Sequence, residues 1–371
     1  MPPMPVVISE GAFYRYELPL TAPLQLGGDE VNRRRGGLVR VETRRGHVGW
    51  GDAAPLPGFS PETLGEVEEQ AHAALSRWVG RSVADAQGDL EDTLRALSLG
   101  PEVPSSLQFA MEGAAVEMVA AARQTTVPKV LGTPRRTVAL NALVPRAGAK
   151  GARQAAQFGE EGYRAVKVKV GQRTVEDAID RVRAIRGALD PSVALRADAN
   201  RAWTLDEAVA FAEATEALRM AYVEEPLANP ARLRDLVEET SLPVALDETT
   251  REVPPRRLQN MPGVVAVVLK PTLLGGLRAT RSWARAAQEA DATPVLSAAY
   301  ESGVGLQMLV ALAATGPDVP VGLSTYDRLA ADVYTPPLPL AGPNVDVAPV
   351  VDPSTARIAR DRLDLVERYS A

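Results

Sequence analysis

The sequence predicts an α/β protein in which a barrel of alternating strands and helices follows an α+β N-terminal region. From about residue 137, short apolar runs alternate with helical stretches, and polar residues stand at the ends of several runs. The spacings 247 − 224 and 270 − 247 are both about 23 residues, the length of a short strand, a helix and two turns. Repeated strand–helix units favour a parallel sheet, and seven or eight of them favour a closed one.

The predicted elements of the barrel follow one another regularly. The strand candidates are 138–144, 165–170, 193–198, 221–224, 243–247, 265–270 and 294–298, and the helical stretches include 148–160, 175–188, 205–217 and 277–290. Thr204-Leu205-Asp206-Glu207 is a capping box, so a helix begins just after the loop that holds Asp198.

The N-terminal part has a different pattern. Residues 6 to about 56 alternate between apolar and polar side chains, which predicts a hairpin meander. One helix is predicted from Pro61 to Trp78, with Ser60 as N-cap and Thr63 and Glu66 as a second start signal. Another helix is predicted over 105–123. After Gly322 we expect a tail, ending in a helix-like stretch over 357–367, that packs back on this N-terminal part.

Composition excludes several classes of function. The chain has 371 residues, of which 46% are hydrophobic and 24% charged, and its formal net charge is −6. This charge argues against a nucleic-acid binder. No apolar run approaches the roughly 20 residues that span a bilayer, and Met1-Pro2-Pro3-Met4-Pro5 does not resemble a signal peptide. We therefore expect a cytoplasmic enzyme and leave an oligomer open.

The scarcity of two residue types limits the chemistry. The chain has no cysteine and two histidines, His47 and His72, both in its N-terminal third. A thiol nucleophile, a Ser-His-Asp triad or a zinc site rich in histidine is therefore excluded from the predicted barrel. Any general base there must be a lysine or a carboxylate.

Lysines and carboxylates converge on the predicted strand ends. In Val166-Lys167-Val168-Lys169-Val170 the two lysines share one face of a strand, because side chains alternate with period 2. Later strands supply, in order, Asp198, Glu224, Asp247 and Lys270. Each residue alone is typical of a solvated sheet face, a cap or a surface loop. Their joint recurrence at strand ends favours one functional site.

This set of residues suits proton abstraction next to a carboxylate. Mg²⁺ prefers oxygen ligands in octahedral geometry, and three carboxylates from successive strands provide half of such a shell. Removing a proton α to a carboxylate leaves an enediolate with about two negative charges, which concentrated positive charge stabilises. A lysine acts as base where neighbouring cations lower its pKa.

These residues, in this order, resemble the enolase superfamily and its muconate lactonizing enzyme subgroup. The resemblance implies a (β/α)₇β modified TIM barrel with an α+β capping domain built from N-terminal and C-terminal segments. Its implied boundaries are 1–130 for the capping domain, 131–320 for the barrel and 321–371 for a C-terminal segment that packs on the capping domain. It also implies that Asp198, Glu224 and Asp247 bind Mg²⁺, with Mn²⁺ possible, and that Glu225 and Glu248 are neighbours and not ligands.

Within the subgroup the chain resembles the o-succinylbenzoate synthase family, through the segments 49–60 and 297–305. The resemblance implies an Mg²⁺-dependent lyase of menaquinone biosynthesis that acts on a small carboxylate, with Lys169 as base and Lys270 as an opposing ammonium. Residues expected to bind substrate or support the site are Lys167, Arg196, Asn200, Ser297, Glu301, Ser302 and Gly303.

Some of these supporting residues have a specific expected role. Arg196 lies two residues before Asp198, on the same strand face, and is placed to hold Lys169 or its neighbours; an ordinary ion pair is the alternative. The backbone N–H groups where Ser302-Gly303-Val304-Gly305 opens a helix are expected to meet the succinyl tail. Two departures from the family pattern are Asp52, where many relatives carry Glu, and a run at 297–299 with fewer serines.

Two other functions fit parts of the pattern. Lysines on both sides of an α carbon also suit the 1,1-proton transfer of dipeptide epimerases and N-acylamino acid racemases. An epimerase for charged dipeptides usually has an Asp-x-Asp after the seventh barrel strand, and residues 297–301 lack it. A non-catalytic barrel with a relic metal site is the second alternative, and the presence of both Lys169 and Lys270 argues against it.

Overall fold

A computed structural model describes residues 6–26, 28–83, 90–100, 102–145, 148–352 and 357–371 of the protein. The strands are β1 (Val6–Leu26), β2 (Asp29–Thr43), β3 (Val48–Ala53), β4 (Ser82–Val83), β5 (Thr137–Ala139), β6 (Ala142–Val144), β7 (Ala165–Lys169), β8 (Ala194–Asp198), β9 (Tyr222–Glu224), β10 (Val244–Leu246), β11 (Val264–Leu269), β12 (Thr293–Leu296), β13 (Tyr334–Thr335), β14 (Asn344–Asp346), β15 (Arg357–Ile358) and β16 (Leu363–Ser370). The α-helices are α1 (Leu64–Trp78), α2 (Leu90–Ala96), α3 (Ser105–Ala122), α4 (Val127–Leu131), α5 (Gly148–Glu160), α6 (Val175–Ala188), α7 (Leu205–Thr215), α8 (Leu233–Glu239), α9 (Pro271–Leu274), α10 (Gly276–Glu289), α11 (Gly303–Thr315) and α12 (Val347–Val351).

The capping domain is an antiparallel sheet covered by helices. Strands β1, β2 and β3 form the predicted meander, and β16 pairs with the outer side of β1. The Gly-Trp-Gly segment of β3 lies directly against α3: a Cβ on Gly49 would stand 2.0 Å from the carbonyl oxygen of Ala114, and one on Gly51 would stand 1.8 Å from that of Ala110. The two glycines therefore permit a close contact between strand and helix.

The barrel matches the predicted α/β architecture. Seven parallel strands pair in the order β12-β11-β10-β9-β8-β7-β6. Parallel bridges then join Ser297 to Gly322 and Leu140 to Val321, so the segment 321–322 stands between the two ends of this sheet. Seven strand–helix units followed by this short eighth strand correspond to the (β/α)₇β barrel. The apolar core of the barrel wall lies between the strands and the surrounding helices.

Most predicted elements have the expected bounds, and two local predictions were wrong. Helix α1 is capped by Thr63 and Glu66 in a capping box, whereas Ser60 accepts a hydrogen bond from the backbone N–H of Leu56. The stretch 357–367, predicted as helix-like, contains β15, a short 3₁₀ turn and most of β16. Pairing with β1 overrides its helical pattern, because a strand edge offers a complete set of backbone partners.

The C-terminal segment contacts both parts of the molecule. Its strand β16 completes the capping sheet, whereas β14 pairs with β5 next to the barrel. The domain boundaries stay predictions, and the one at 320 falls directly before the segment that closes the ring. None of the helices in the described ranges is long and apolar enough to cross a membrane.

Candidate active site

The predicted catalytic residues lie on the inner face of the barrel, at the carboxyl ends of neighbouring strands. The register pairs Lys169 with Asp198, and Asp198 with Glu224. Asp247 directly follows β10 and Lys270 directly follows β11. The structure thus brings these residues together at one mouth of the barrel, because carboxyl ends of parallel strands meet on one side.

Two lysines form ion pairs with the three carboxylates. Lys167 Nζ lies 3.0 Å from Asp198 Oδ2 and also contacts Glu224. On the other side, Lys270 Nζ contacts Asp247 Oδ2. The exposed fractions of Asp198, Glu224 and Asp247 are 3%, 1% and 5%. Burial of charge at this depth is tolerated because each carboxylate has a cationic partner.

Burial and the ion pairs together set the pKa values of the ionisable groups in this site. Burial opposes the charged form of Lys167, but the carboxylates of Asp198 and Glu224 hold its pKa well above the ordinary value. Burial likewise opposes the charged form of Lys270, and Asp247 raises its pKa. Burial raises the pKa of Glu224 to about 7. The two paired lysines are therefore cations in this arrangement.

Lys169 differs from the other two lysines. Its Nζ donates to Asn200 Oδ1 at 3.3 Å, and the backbone N–H of Asn200 donates to Asp198 Oδ1 at 3.1 Å. A cavity of about 410 Å³, lined by the loop after β7 and by one side of α6, opens beside Lys169. Asn200 thus fixes the position of Lys169 without placing a negative charge on it.

The carboxylates fit a divalent cation by chemistry, although they do not form a ready cage. Oxygen donors at adjacent strand ends are the type that Mg²⁺ prefers, and the ammonium of Lys167 already stands between Asp198 and Glu224 as a cation. Within the described ranges, no three His, Asp or Glu side chains are arranged to hold a metal ion as they stand. The ammonium groups occupy the oxygens that a metal needs, so the metal site stays a prediction.

Arg196 does not play its predicted role. Its guanidinium donates to the carbonyl of Pro320 at 2.8 Å and to Asn141 Oδ1 at 3.4 Å, and it stacks over the ring of Tyr222 at 5.1 Å. The register places Arg196 beside Lys167 but one layer below the end of the strand. Its contacts therefore brace the barrel interior under the site, and they do not hold Lys169.

The first two N–H groups of the helix N-terminus predicted to bind the succinyl tail already have acceptors. The backbone N–H and the hydroxyl of Ser302 donate to Asp52 Oδ2 at 2.7 and 2.9 Å, and the N–H of Gly303 donates to Asp332 Oδ1 at 2.8 Å. Both carboxylates are buried, at 1% exposure. This corrects the predicted role of Ser302 and Gly303, because N–H groups that donate to protein carboxylates are not free for a ligand.

Two other predicted residues near this helix support the loop. Glu301 is fully buried and accepts from Thr272 Oγ1 at 2.5 Å and from the N–H of Ala299 at 2.6 Å. Ser297 donates to the carbonyl of Gly322 at 3.4 Å, where the ring closes. Glu301 therefore holds the loop after β12, and Ser297 lies half-buried in the barrel wall.

Sequence reasoning missed the clamp between the capping domain and the barrel. Buried Arg34 donates to the carbonyl of Tyr300 at 2.8 Å and to that of Pro55 at 2.7 Å, and also contacts the carbonyl of Ala54. Tyr300 has a positive φ of 62°, which is costly for a side chain of this size. Arg34 stood among ordinary charged residues of a predicted strand, so no signal in the sequence marked it.

Comparisons with known proteins agree with this geometry. Residues 150–350 match the family described as "Enolase C-terminal domain-like", and residues 8–100 match "MenC, N-terminal domain". The chain is 33% identical over 337 residues to the o-succinylbenzoate synthase of Yersinia pestis (strain Pestoides F), covering 88% of this chain and 94% of that protein.

Solved structures share the fold over nearly the whole chain. A dipeptide epimerase from Enterococcus faecalis V583, complexed with Mg and the dipeptide L-Leu-L-Tyr, has a TM-score of 0.81 at 20% identity and covers 96% of this chain and 99% of its own. A muconate lactonizing enzyme from Pseudomonas fluorescens, complexed with muconolactone, has a TM-score of 0.80 at 19% identity, with coverages of 97% and 98%.

Proposed function

This chain is an enzyme of the o-succinylbenzoate synthase family, within the enolase superfamily, and we propose that it dehydrates 2-succinyl-6-hydroxy-2,4-cyclohexadiene-1-carboxylate to o-succinylbenzoate. The observation that carries the proposal is the set of buried carboxylates flanked by Lys169 on one side of the barrel mouth and Lys270 on the other. This reaction is a step of menaquinone biosynthesis.

Asp198, Glu224 and Asp247 would hold a divalent metal, with Mg²⁺ as the first candidate. When bound, such a cation would offset the negative charge that develops on the substrate carboxylate during proton removal. Lys167, which contacts Asp198 and Glu224, favours the ionised form of both carboxylates, the form in which they act as ligands. Lys167 would then be a positioning residue and not a proton acceptor.

Lys169 is the proposed base. Its Nζ is held by Asn200 and has no carboxylate partner among the described residues, so it can face the substrate. The neutral amine removes the proton from the carbon that bears the carboxylate. The resulting ammonium then protonates the hydroxyl group on the adjacent ring carbon as its C–O bond breaks. Water leaves, the ring becomes aromatic, and the neutral amine is restored.

Lys270 is the proposed electrostatic partner on the opposite side. Its contact with Asp247 keeps it as an ammonium, and β8, β9 and β10 separate its strand from that of Lys169. A fixed positive charge there stabilises the anion formed by proton removal, because it requires no rearrangement during the reaction. Lys270 exchanges no proton in this dehydration.

The decisive experiment follows the loss of diene absorbance after the purified protein is mixed with Mg²⁺ and the cyclohexadiene substrate. We expect rapid loss that EDTA abolishes. Lys169→Ala should reduce kcat by at least about 10³-fold, within the range expected for loss of a general base, and calorimetry should show product binding largely kept. Lys150→Ala, which removes an exposed lysine on α5, is the matched control. Turnover by Lys169→Ala at the wild-type rate would refute the assignment.

The facing lysines also support a second function, which is 1,1-proton transfer on N-acyl amino acids or dipeptides. In that reaction Lys169 and Lys270 would each exchange a proton with one face of the α carbon. The test incubates the protein in deuterium oxide with each enantiomer of an N-acyl amino acid. Deuterium in the α position of both enantiomers, together with no loss of the diene, would replace the lyase proposal with this one.

A further inference from the structure

We propose that Arg328 binds the remote carboxylate of the substrate, at the junction of the capping domain and the barrel mouth. This inference rests on the proposed function, in which the substrate carries a ring carboxylate and a second carboxylate at the end of its succinyl tail. The ring carboxylate belongs among the lysines, which leaves the tail carboxylate without an assigned partner.

Arg328 is a half-buried cation without a side-chain partner among the described residues. Its Nε atom is buried and makes no hydrogen bond, and its guanidinium takes part in no ion pair or side-chain hydrogen bond with the described residues. A desolvated donor without an acceptor is costly in a folded protein. Such a group is therefore a candidate for binding a ligand.

The backbone around Arg328 is firmly held. Arg328 ends a 3₁₀ turn (Ser324–Arg328) that directly follows the segment closing the barrel. Thr21 Oγ1 donates to the carbonyl of Arg328 at 3.4 Å, and the N–H of Ala330 donates to the carbonyl of Pro19 at 2.8 Å. Leu329 forms an antiparallel bridge with Leu20. These contacts tie the arginine to residues 19–21 of β1 in the capping domain.

This position adjoins the candidate active site. Leu20 packs in the same apolar cluster as Tyr300, which joins residues of the capping domain to loops of the barrel mouth. Burial raises the pKa of Tyr300, and the charges of Arg328 and Lys270 both oppose that rise. The phenol of Tyr300 is thus within electrostatic range of Arg328 on one side and of a proposed catalytic lysine on the other.

The chemistry of the group matches a carboxylate. A planar guanidinium accepts a carboxylate through two parallel hydrogen bonds, and the contact strengthens where water is partly excluded. An apolar wall with one unpartnered cation would hold a flexible acidic tail and fix its direction. We therefore assign to this side of the mouth the specificity for a second carboxylate.

The test compares the binding of two ligands by calorimetry in the presence of Mg²⁺. The first is o-succinylbenzoate, and the second is its amide at the succinyl carboxylate, which has the same shape without the charge. We expect the wild-type protein to prefer the diacid by about tenfold or more. Arg328→Met should abolish this preference, Arg328→Lys should keep part of it, and Arg256→Met, at an exposed arginine before β11, should leave it unchanged.

The outcomes separate the two proposals. A wild-type protein without the preference, or an Arg328→Met variant that keeps it, overturns the role of Arg328 even if the enzyme is the lyase. A wild-type protein that prefers the diacid but does not consume the diene overturns the dehydration while the arginine site stands. If circular dichroism shows that Arg328→Met is unfolded, the preference measured with Arg328→Gln decides.

Discussion

Glu225 shows how an acidic residue beside a proposed ligand serves the site without joining it. Its two carboxylate oxygens accept from the N–H of Asp247 at 2.9 Å and from the N–H and hydroxyl of Thr249 at 2.8 and 2.9 Å. Arg201 adds an ion pair at 3.1 Å. Glu225 therefore sets the backbone that carries Asp247, which agrees with its predicted place as a neighbour of the ligands.

This role gives a residue-scale prediction. Glu225→Gln replaces an acceptor oxygen with an N–H donor facing donors, so we expect a loss of roughly 3 kcal/mol in the free energy of unfolding. We also expect at least about tenfold weaker Mg²⁺ binding, because the backbone of Asp247 loses its support. Urea denaturation and magnesium titration by calorimetry measure both effects.

The matched control is Glu252→Gln. Glu252 also pairs with Arg201, but its side chain is 51% exposed, so the change should cost less than about 1 kcal/mol and leave magnesium binding intact. Equal losses from the two variants would contradict the proposed support of Asp247.

At the scale of elements, the N-terminus of α11 joins three parts of the chain. Asp52 from β3 and Asp332 from the C-terminal segment accept its first N–H groups, and Tyr16 Oη donates to Asp52 at 2.9 Å. The helix dipole and the donors favour negative charge there, so carboxylates are natural partners. Asp52 stands where many relatives carry Glu. It still acts as the carboxylate partner of the helix, because it accepts directly from Ser302.

The pH dependence of stability follows from this contact. Burial raises the pKa of Asp52 to about 6, against an offset from the hydrogen bonds of Tyr16 and Ser302. The folded protein thus binds this proton more tightly than the unfolded chain does. The associated stability is fully present below about pH 4 and is lost as the pH rises through about 6. The charges of Glu301 and Arg34 also act on the Asp52 carboxyl, and none of the variants compared below changes them.

We expect Asp52→Asn to flatten the pH dependence of the free energy of unfolding in this range. Its free energy of unfolding should fall less than that of the wild type between about pH 4.5 and 6.5, whatever its absolute stability. Urea denaturation across this range gives the slopes. Asp361→Asn, at an exposed position, should keep the wild-type slope. A variant at position 52 with the same slope as the wild type would show that Asp52 does not titrate there.

At the scale of the whole molecule, apolar clusters join the capping domain to parts of the barrel. A continuous apolar cluster joins the meander and α3 to α11, and a smaller one joins Leu24, Leu26 and Leu56 to Leu273 and Ala299 at the barrel mouth. The smaller cluster lies where loops from both parts meet, next to Tyr300. The rim of the candidate active site is therefore held by contacts between segments that are distant in the sequence.

Leu56→Ala tests this dependence. Leu56 is 4% exposed, so we expect a loss of about 2 kcal/mol or more in the free energy of unfolding. We also expect a higher KM for the diene, because the rim of the site loosens. Leu365→Ala removes the same atoms from a residue of β16 that is 50% exposed, and it should change stability by less than about 0.5 kcal/mol and leave KM unchanged. If Leu56→Ala keeps the wild-type KM, this apolar cluster does not contribute to substrate binding.

Local patterns determined the order and bounds of the barrel elements. Strands such as β7 alternate strictly, and capping boxes such as that of Thr204 mark helix starts, so both signals act within a few residues. The same alternation placed Lys167 and Lys169 on one face, and the spacing of later strand ends placed Asp198, Glu224, Asp247 and Lys270 at one mouth. Neighbouring strands in a parallel barrel convert sequence order into spatial order.

Only the tertiary structure decided what each side chain contacts. The pairing of β16 with β1, the closure of the ring at 321–322, and the carboxylates of Asp52 and Asp332 on α11 join residues far apart in the chain. Local pattern carries no information on such partners, because a buried donor takes whichever acceptor the fold brings to it. For the same reason Arg34 and Arg328 look alike in the sequence, although the guanidinium of Arg34 donates to four backbone carbonyls and that of Arg328 lacks a partner among the described residues.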